Sequence, residues 1–251
     1  MGKIITIANQ KGGVGKTTTA VNLGTALALA EKKVLVVDMD PQANTTSGFG
    51  VSQEGKGVYF PLFGISSIEE NIIKTDLDYL FLLPSTKEMQ GFDADISSHD
   101  EKEFLLKKIL NPIKSDFDFI LVDTPPSLGY ITLNSLTSAD YILIPLQAEY
   151  YSLEGLSQLM ESIRNIQQYL NPSLEILGIL ITMYDERTNL SKQVEDEVRK
   201  FFKDKVFKTK IPRNVRISEA PSHGLPVILY DVKSKGSQSY LNLAKEIINR
   251  V

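Results

Sequence analysis

Apolar residues in this chain come in short runs, most of them closed by a polar residue or a proline and separated by longer stretches of mixed character. Ile4 to Ala8, Val34 to Val37, Tyr79 to Leu83, Phe119 to Val122, Tyr141 to Leu146 and Ile176 to Thr182 are runs of this kind, most of them rich in β-branched residues. Runs of four to eight apolar residues without alternation predict strands buried on both faces, as in a parallel sheet. The intervals read differently. Thr19 to Ala30 is rich in Ala and Leu, lacks Pro, and predicts a helix. Residues 100–110 carry a helical pattern with Phe104, Leu105, Ile109 and Leu110 inward, and Ser152 to Leu170 predicts a longer helix with Pro172 beyond its end. The segment Asp185 to Ser191 leads into a helix with Val194, Val198, Phe201 and Phe202 inward and Lys192, Arg199, Lys200 and Lys203 outward. Residues 44–75, with Gly48, Gly50, Gly55, Gly57 and Gly64, show weak periodicity and predict loops and short helices without chemistry. Strands alternating with helices predict an α/β fold, a mostly parallel twisted sheet with helices on both faces. No Pro/Ser-rich linker or internal repeat divides the 251 residues, so a single domain over 1–251 is expected.

The polar residues that close the strands carry the candidate chemistry. Between the first strand and the first helix stands Asn9-Gln10-Lys11-Gly12-Gly13-Val14-Gly15-Lys16-Thr17-Thr18. Strand, glycine-rich loop and helix form the setting a phosphate-binding loop needs. The glycines let the backbone turn its N–H groups toward an anion, and the helix N-terminus adds unpaired donors and partial positive charge. In such a P-loop, Lys16 reaches the β- and γ-phosphates of ATP and the Thr17 hydroxyl ligates Mg²⁺. The usual pattern has a glycine where this chain has Gln10, and a second lysine, Lys11, follows it. The second run ends in Asp38-Met39-Asp40-Pro41-Gln42, and acids at the carboxyl end of a parallel strand sit at the ligand edge of an α/β sheet. Asp38 and Asp40 share one side of an extended chain, and could alternatively cap the strand end. The fourth run ends in Asp123-Thr124-Pro125-Pro126, a Walker B pattern whose carboxylate holds Mg²⁺ through water.

These motifs, in this order, resemble the ParA/MinD/Soj ATPases. Lys11-Gly12-Gly13-Val14-Gly15-Lys16-Thr17 is similar to that family's deviant Walker A motif. By resemblance, Lys11 reaches across a nucleotide-sandwiched dimer to the partner's ATP. Asp40 then helps position the attacking water, while Asp38 lies nearer the metal's water shell or is structural. Thr124-Pro125-Pro126 matches the family's switch II. Ile211-Pro212-Arg213-Asn214-Val215-Arg216 and Ser218 to Gly224 resemble the chromosomal ParA proteins called Soj, which implies that Pro212 and Asn214 line the adenine pocket. Arg187, Arg213, Arg216 and Lys233 fall at or near positions where relatives carry DNA-contacting basic residues. The family implies ATP and Mg²⁺ as cofactors, and a homodimer closed by ATP. It also implies non-specific binding to double-stranded DNA, stimulation by a ParB-type centromere-binding protein, and a cytoplasmic, nucleoid-associated location. Rivals with the same loop are a MinD-like membrane-cycling or cargo-positioning ATPase and a nucleotide-binding scaffold without turnover. A MinD-like protein should end in a basic amphipathic helix, whereas Ala244 to Val251 is short and nearly neutral, so no membrane partner is expected.

Composition narrows this further. The chain has no cysteine, which excludes disulfides and iron–sulfur ligation, and His99 and His223 stand alone in sequence. The net charge of −4 conceals an uneven distribution. Residues 1–186 hold 13 Lys and Arg against 24 Asp and Glu, a balance of −11; residues 187–251 hold 14 against 7, a balance of +7. A localised basic face is compatible with phosphate-backbone binding, though such runs are more often solvated helix faces.

Overall fold

The computed structural model describes residues 2–52, 54–97, 99–149 and 152–251; Met1, where the expected domain begins, lies outside them. Its centre is a seven-stranded sheet of β1 (Lys3–Ile7), β2 (Val34–Asp38), β3 (Ile73–Lys74), β4 (Leu80–Leu83), β5 (Phe119–Asp123), β6 (Tyr141–Gln147) and β7 (Glu175–Thr182). The spatial order is β3-β4-β2-β5-β1-β6-β7, with β3 alone antiparallel to its neighbour. The two residues of β3 lie in the stretch read as loops and short helices. The other strands coincide with the apolar runs because both faces are covered. Ile4, Leu35, Val37, Ile120 and Val122 enter one core, while Ile5, Ile7, Val34, Val36 and Leu121 enter the other.

Helix α1 (Lys16–Leu29) packs on one face, where Leu23 and Leu27 share a core with Leu243 and Ile247. Three single-turn or slightly longer helices follow: α2 (Asn44–Gly48), α3 (Tyr59–Leu62) and α4 (Ile68–Asn71). They are succeeded by α5 (Phe92–Ile96), α6 (Leu105–Leu110), α7 (Tyr130–Ser138) and α8 (Ser152–Tyr169), which pack toward the opposite face. The last quarter holds α9 (Asn189–Phe202), α10 (Val215–Glu219), α11 (Val227–Tyr230) and α12 (Lys235–Ile248).

Three local expectations need correction. Helix α6 begins at Leu105 rather than at residue 100, because Glu101 has φ 54° and its carbonyl accepts from the Phe104 N–H in a turn. Leu106 is fully buried, while Phe104 and Ile109 are only half-buried. In α9 the inward positions recur at Val194, Val198 and Phe202, four residues apart, so Phe201 is rotated outward and is 68% exposed, with the Lys200 ammonium near its ring. Arg199, expected to face outward, lies back over Glu195 and donates to the Phe207 carbonyl.

Candidate active site

The order of the strands creates the site. Strand β1 lies between β5 and β6: the connection from β1 runs past β5 to β2, whereas the one from β5 crosses β1 to reach β6, and the crevice outside the carboxyl ends at such a reversal is where ligands bind. The loop after β1 occupies that crevice. Its glycines Gly13 and Gly15 take φ of 71° and 91°, and a Cβ built on Gly13 would meet nothing within 4 Å. Gly12 is likewise exposed, near Pro126. The loop is tied down from behind. Thr182 at the end of β7 donates to the Val14 carbonyl at 2.8 Å, and Asn9 donates to the Pro145 carbonyl at 2.7 Å while accepting from the Lys11 N–H. Lys16, at the start of α1 and 6% exposed, donates to the Lys11 carbonyl at 3.2 Å. Burial lowers its pKa, and Asp123 and Asp40 oppose that shift. Thr17 and Thr18 line the same cavity of about 670 Å³, together with Asp40.

The strand register explains the carboxylates. Asp38 of β2 and Asp123 of β5 are direct partners, so both project from the same edge of adjacent strands. Both are fully buried, and burial raises both pKa values, with Asp123 adding to the rise at Asp38. Both oxygens of Asp38 are engaged: Thr46 donates to Oδ2 through its N–H and its hydroxyl, at 2.8 and 2.7 Å, and the Asp40 N–H donates to Oδ1 at 3.1 Å. Of the two alternatives open for Asp38, these bonds favour a structural one. Asp40 points to the cavity and accepts from the Gln42 N–H at 2.9 Å. Asp123 accepts from the Thr17 hydroxyl and the Thr45 hydroxyl, each at 2.8 Å and both on Oδ2. Its Oδ1 is buried and has no hydrogen-bond partner. An orphaned, buried carboxylate oxygen beside a threonine hydroxyl suits the water shell of a hard cation such as Mg²⁺. Thr45 and Thr46 belong to the stretch expected to carry no chemistry. Their position after Asp38-Met39-Asp40-Pro41-Gln42 was the one available signal for them.

The Lys11 ammonium, half-buried, pairs with Glu149 at 3.0 Å; Gln147 donates to the other oxygen of Glu149 at 2.7 Å. Pro212 and Asn214 border a separate cavity of about 300 Å³ with Gly15, Thr18, Met183 and Tyr240, beside the loop. Asn214 also caps α10, accepting from the Arg216 N–H.

Of the basic residues, Arg187, Arg213 and Lys233 line one groove, which Lys210 and Lys235 join. Arg187 is exposed but held in a two-pronged pair with Asp185, which keeps that carboxyl well below its usual range. Arg216 does not line the groove; it pairs with Glu219 at 2.9 Å and Asp231 at 3.4 Å.

A family profile described as an AAA domain matches residues 2–176. The chromosome partitioning protein ParA of Myxococcus xanthus is 51% identical over 252 residues, covering 100% of this chain and 89% of that protein. The sporulation initiation inhibitor protein Soj of Bacillus subtilis is 51% identical over 249 residues, with 98% of each chain covered. A Mycobacterium smegmatis structure named cobyrinic acid a,c-diamide synthase, solved with ADP and magnesium, superposes with a TM-score of 0.87 at 34% identity, covering 99% of this chain and 95% of its own. Among the described residues, no helix is long and apolar enough to cross a membrane.

Proposed function

This chain belongs to the ParA/Soj family of chromosome-partitioning ATPases, and from that premise we propose that it hydrolyses ATP as a switch between a monomer and a DNA-binding dimer. The observation that carries the reading is the buried Asp123 carboxylate, with two hydroxyls on one oxygen and none on the other, bonded to Thr17 directly after a formed phosphate loop. The backbone N–H groups of Gly12 to Thr18 receive the phosphates, and Lys16 supplies the charge at the β- and γ-positions. Thr17 and Asp123 would hold Mg²⁺, and the ion would supply charge neutralisation at the phosphate oxygens. Asp40 accepts a hydrogen bond from water and aims it at the γ-phosphate. Pro212 and Asn214 flank the adenine.

Two protomers close face to face on ATP. Lys11 then leaves Glu149 and crosses to the partner's nucleotide. The dimer joins two basic grooves, bearing Arg187, Arg213 and Lys233 with Arg216 nearby, into one surface for duplex DNA of any sequence. A ParB-type protein stimulates hydrolysis and releases the DNA. Phosphate release measured with and without duplex DNA and a ParB-type partner tests this, alongside gel filtration in ATP. The expected outcome is slow turnover alone, faster turnover with both additions, and an ATP-dependent dimer that Asp40→Ala makes persistent. Absence of turnover under every condition, with ATP still bound, would leave only a nucleotide-binding scaffold.

A further inference from the structure

We propose that Thr45 is a positioning residue for the metal-facing carboxylate, fixing which oxygen of Asp123 is turned toward Mg²⁺. The proposal rests on the nucleotide reading above.

A carboxylate offers two equivalent oxygens and about four lone-pair sites, so nothing intrinsic to Asp123 decides which oxygen faces the phosphate loop. Two donors decide it here. The Thr17 and Thr45 hydroxyls both reach Oδ2 at 2.8 Å, leaving Oδ1 buried and without a partner. They are not equivalent. Thr17 belongs to the phosphate loop's own helix and would also lend its oxygen to the cation, so its hydrogen bond depends on what the loop holds. Thr45 is fully buried on α2 and belongs to no part of the phosphate loop.

Thr45 is also held in place independently. Its neighbour Thr46 grips Asp38 through both N–H and hydroxyl, at 2.8 and 2.7 Å, and the Thr46 hydroxyl accepts from the Ser85 N–H at 3.0 Å. Asp38 and Asp123 are register partners on β2 and β5. Thus α2 is clamped to one strand through Asp38 while Thr45 reaches across to the next. A β-branched side chain is stiff at χ1, so Thr45 cannot readily follow if the carboxylate swings. Removing its hydroxyl leaves Asp123 with one donor, borne by the residue that must also serve the metal. Groups that orient a metal's ligands in this way typically carry about 10- to 100-fold of metal affinity or activity.

The test titrates Mg²⁺ into the full chain with a non-hydrolysable ATP analogue, following binding by calorimetry, so that no turnover is read. Thr45→Val keeps the shape and deletes the hydroxyl; Thr45→Ser keeps the hydroxyl. The expected result is that Thr45→Val needs about 10- to 100-fold more Mg²⁺ for half of the metal-dependent gain in affinity, while its metal-free affinity matches wild type and Thr45→Ser restores the wild-type dependence. Should Thr45→Val not fold, Thr45→Ala against Thr45→Ser makes the same comparison. An unchanged Mg²⁺ requirement in the hydroxyl-free variant overturns the proposal. So does an equal loss of affinity with and without metal, which marks a purely structural residue. If wild type itself shows no gain from Mg²⁺, the nucleotide–metal reading fails instead, before any variant is compared.

Discussion

At the scale of single residues, the buried carboxylates dominate. Burial pushes Asp38 up to about 7 and Asp123 up to about 6, because the charged form of each is cut off from water. Neighbouring carboxylates add to both rises, Asp123 at Asp38 and Asp40 at Asp123. Both values lie above those of the unfolded chain, so the folded state holds more protons between about pH 4 and pH 7. Stability therefore falls as pH rises through that window, and is greatest on its acid side as far as these two groups are concerned. Glu195 and Glu246 shift the other way: burial alone would raise both, but Lys210 holds Glu195 low and the Lys208 and Thr209 N–H groups hold Glu246 low, so their contribution is lost as pH falls through the ordinary carboxylate range, at the acid end of the window. Urea midpoints of the nucleotide-free protein should thus decline from about pH 5 to about pH 7.5, and a midpoint that stays level or climbs would refute the assignment. Lys16 sits against the same acids. Its replacement by Ala removes the cation that faces Asp123 and Asp40, and should abolish ATP binding in calorimetry; retained affinity would remove Lys16 from the phosphate site.

At the scale of elements, every strand but β3 was legible because each is covered on both faces and reads as an apolar run, whereas the two residues of β3, with Lys74 exposed, are too few to show one. The acids that close β2 and β5 were legible for the same reason, since a polar residue after such a run marks the sheet's edge. Helix α2 was not. It spans five residues, too few for periodicity, and its hydroxyls matter only because β5 returns 78 positions later to lie under Thr45. The Lys11–Glu149 pair, 138 positions apart, was hidden in the same way. So was the seat of α2's far end. Gly50 (φ 70°) packs against Gly224 (φ 64°), where an added Cβ on Gly224 would stand 2.9 Å from the Gly50 Cα. This close approach joins the segment after Asp40 to the turn at Pro221 and Ser222, which lines the nucleotide cavity. Gly64 offers an internal control, with φ 68° and open space around its Cβ position. Gly64→Ala should cost only left-handed backbone strain, about 1–2 kcal/mol. Gly224→Ala must add a backbone collision and should cost about 1–3 kcal/mol more. Urea unfolding of both variants measures the difference; equal losses would mean that the Gly50–Gly224 packing yields without cost.

For the whole molecule, the decisive feature is how the charge is spread. The balance of −11 over residues 1–186 and +7 over 187–251 gives the basic groove to the last quarter of the chain. The ion pairs rank its cations in a way the sequence could not. Arg216 answers to Glu219 and Asp231, and Arg187 to Asp185, so either must exchange a carboxylate for a phosphate when DNA arrives. Such exposed pairs are weak, so the exchange is possible, but it reduces the net gain. Among the described residues no ion pair holds Arg213, Lys233 or Lys235. The proposed DNA surface therefore rests first on Arg213 and Lys233, and a single protomer provides too few cations to hold duplex firmly. In the proposed dimer, two grooves joined through ATP would double the phosphates neutralised and steepen the salt dependence, since each neutralised phosphate contributes a slope of about −0.9. A salt titration of duplex binding with a non-hydrolysable ATP analogue should show this steep dependence for wild type and weak binding without nucleotide. Arg213→Ala with Lys233→Ala should flatten the slope of log affinity against log salt by roughly one unit for each phosphate no longer neutralised, equally for all sequences. Arg216→Ala should flatten it less. Gel filtration must show that each variant still dimerises with ATP, which separates the DNA surface from the switch. If the double variant dimerises and keeps the full slope, or if nucleotide-free monomer binds duplex as tightly as the dimer, the basic groove is not where DNA lies.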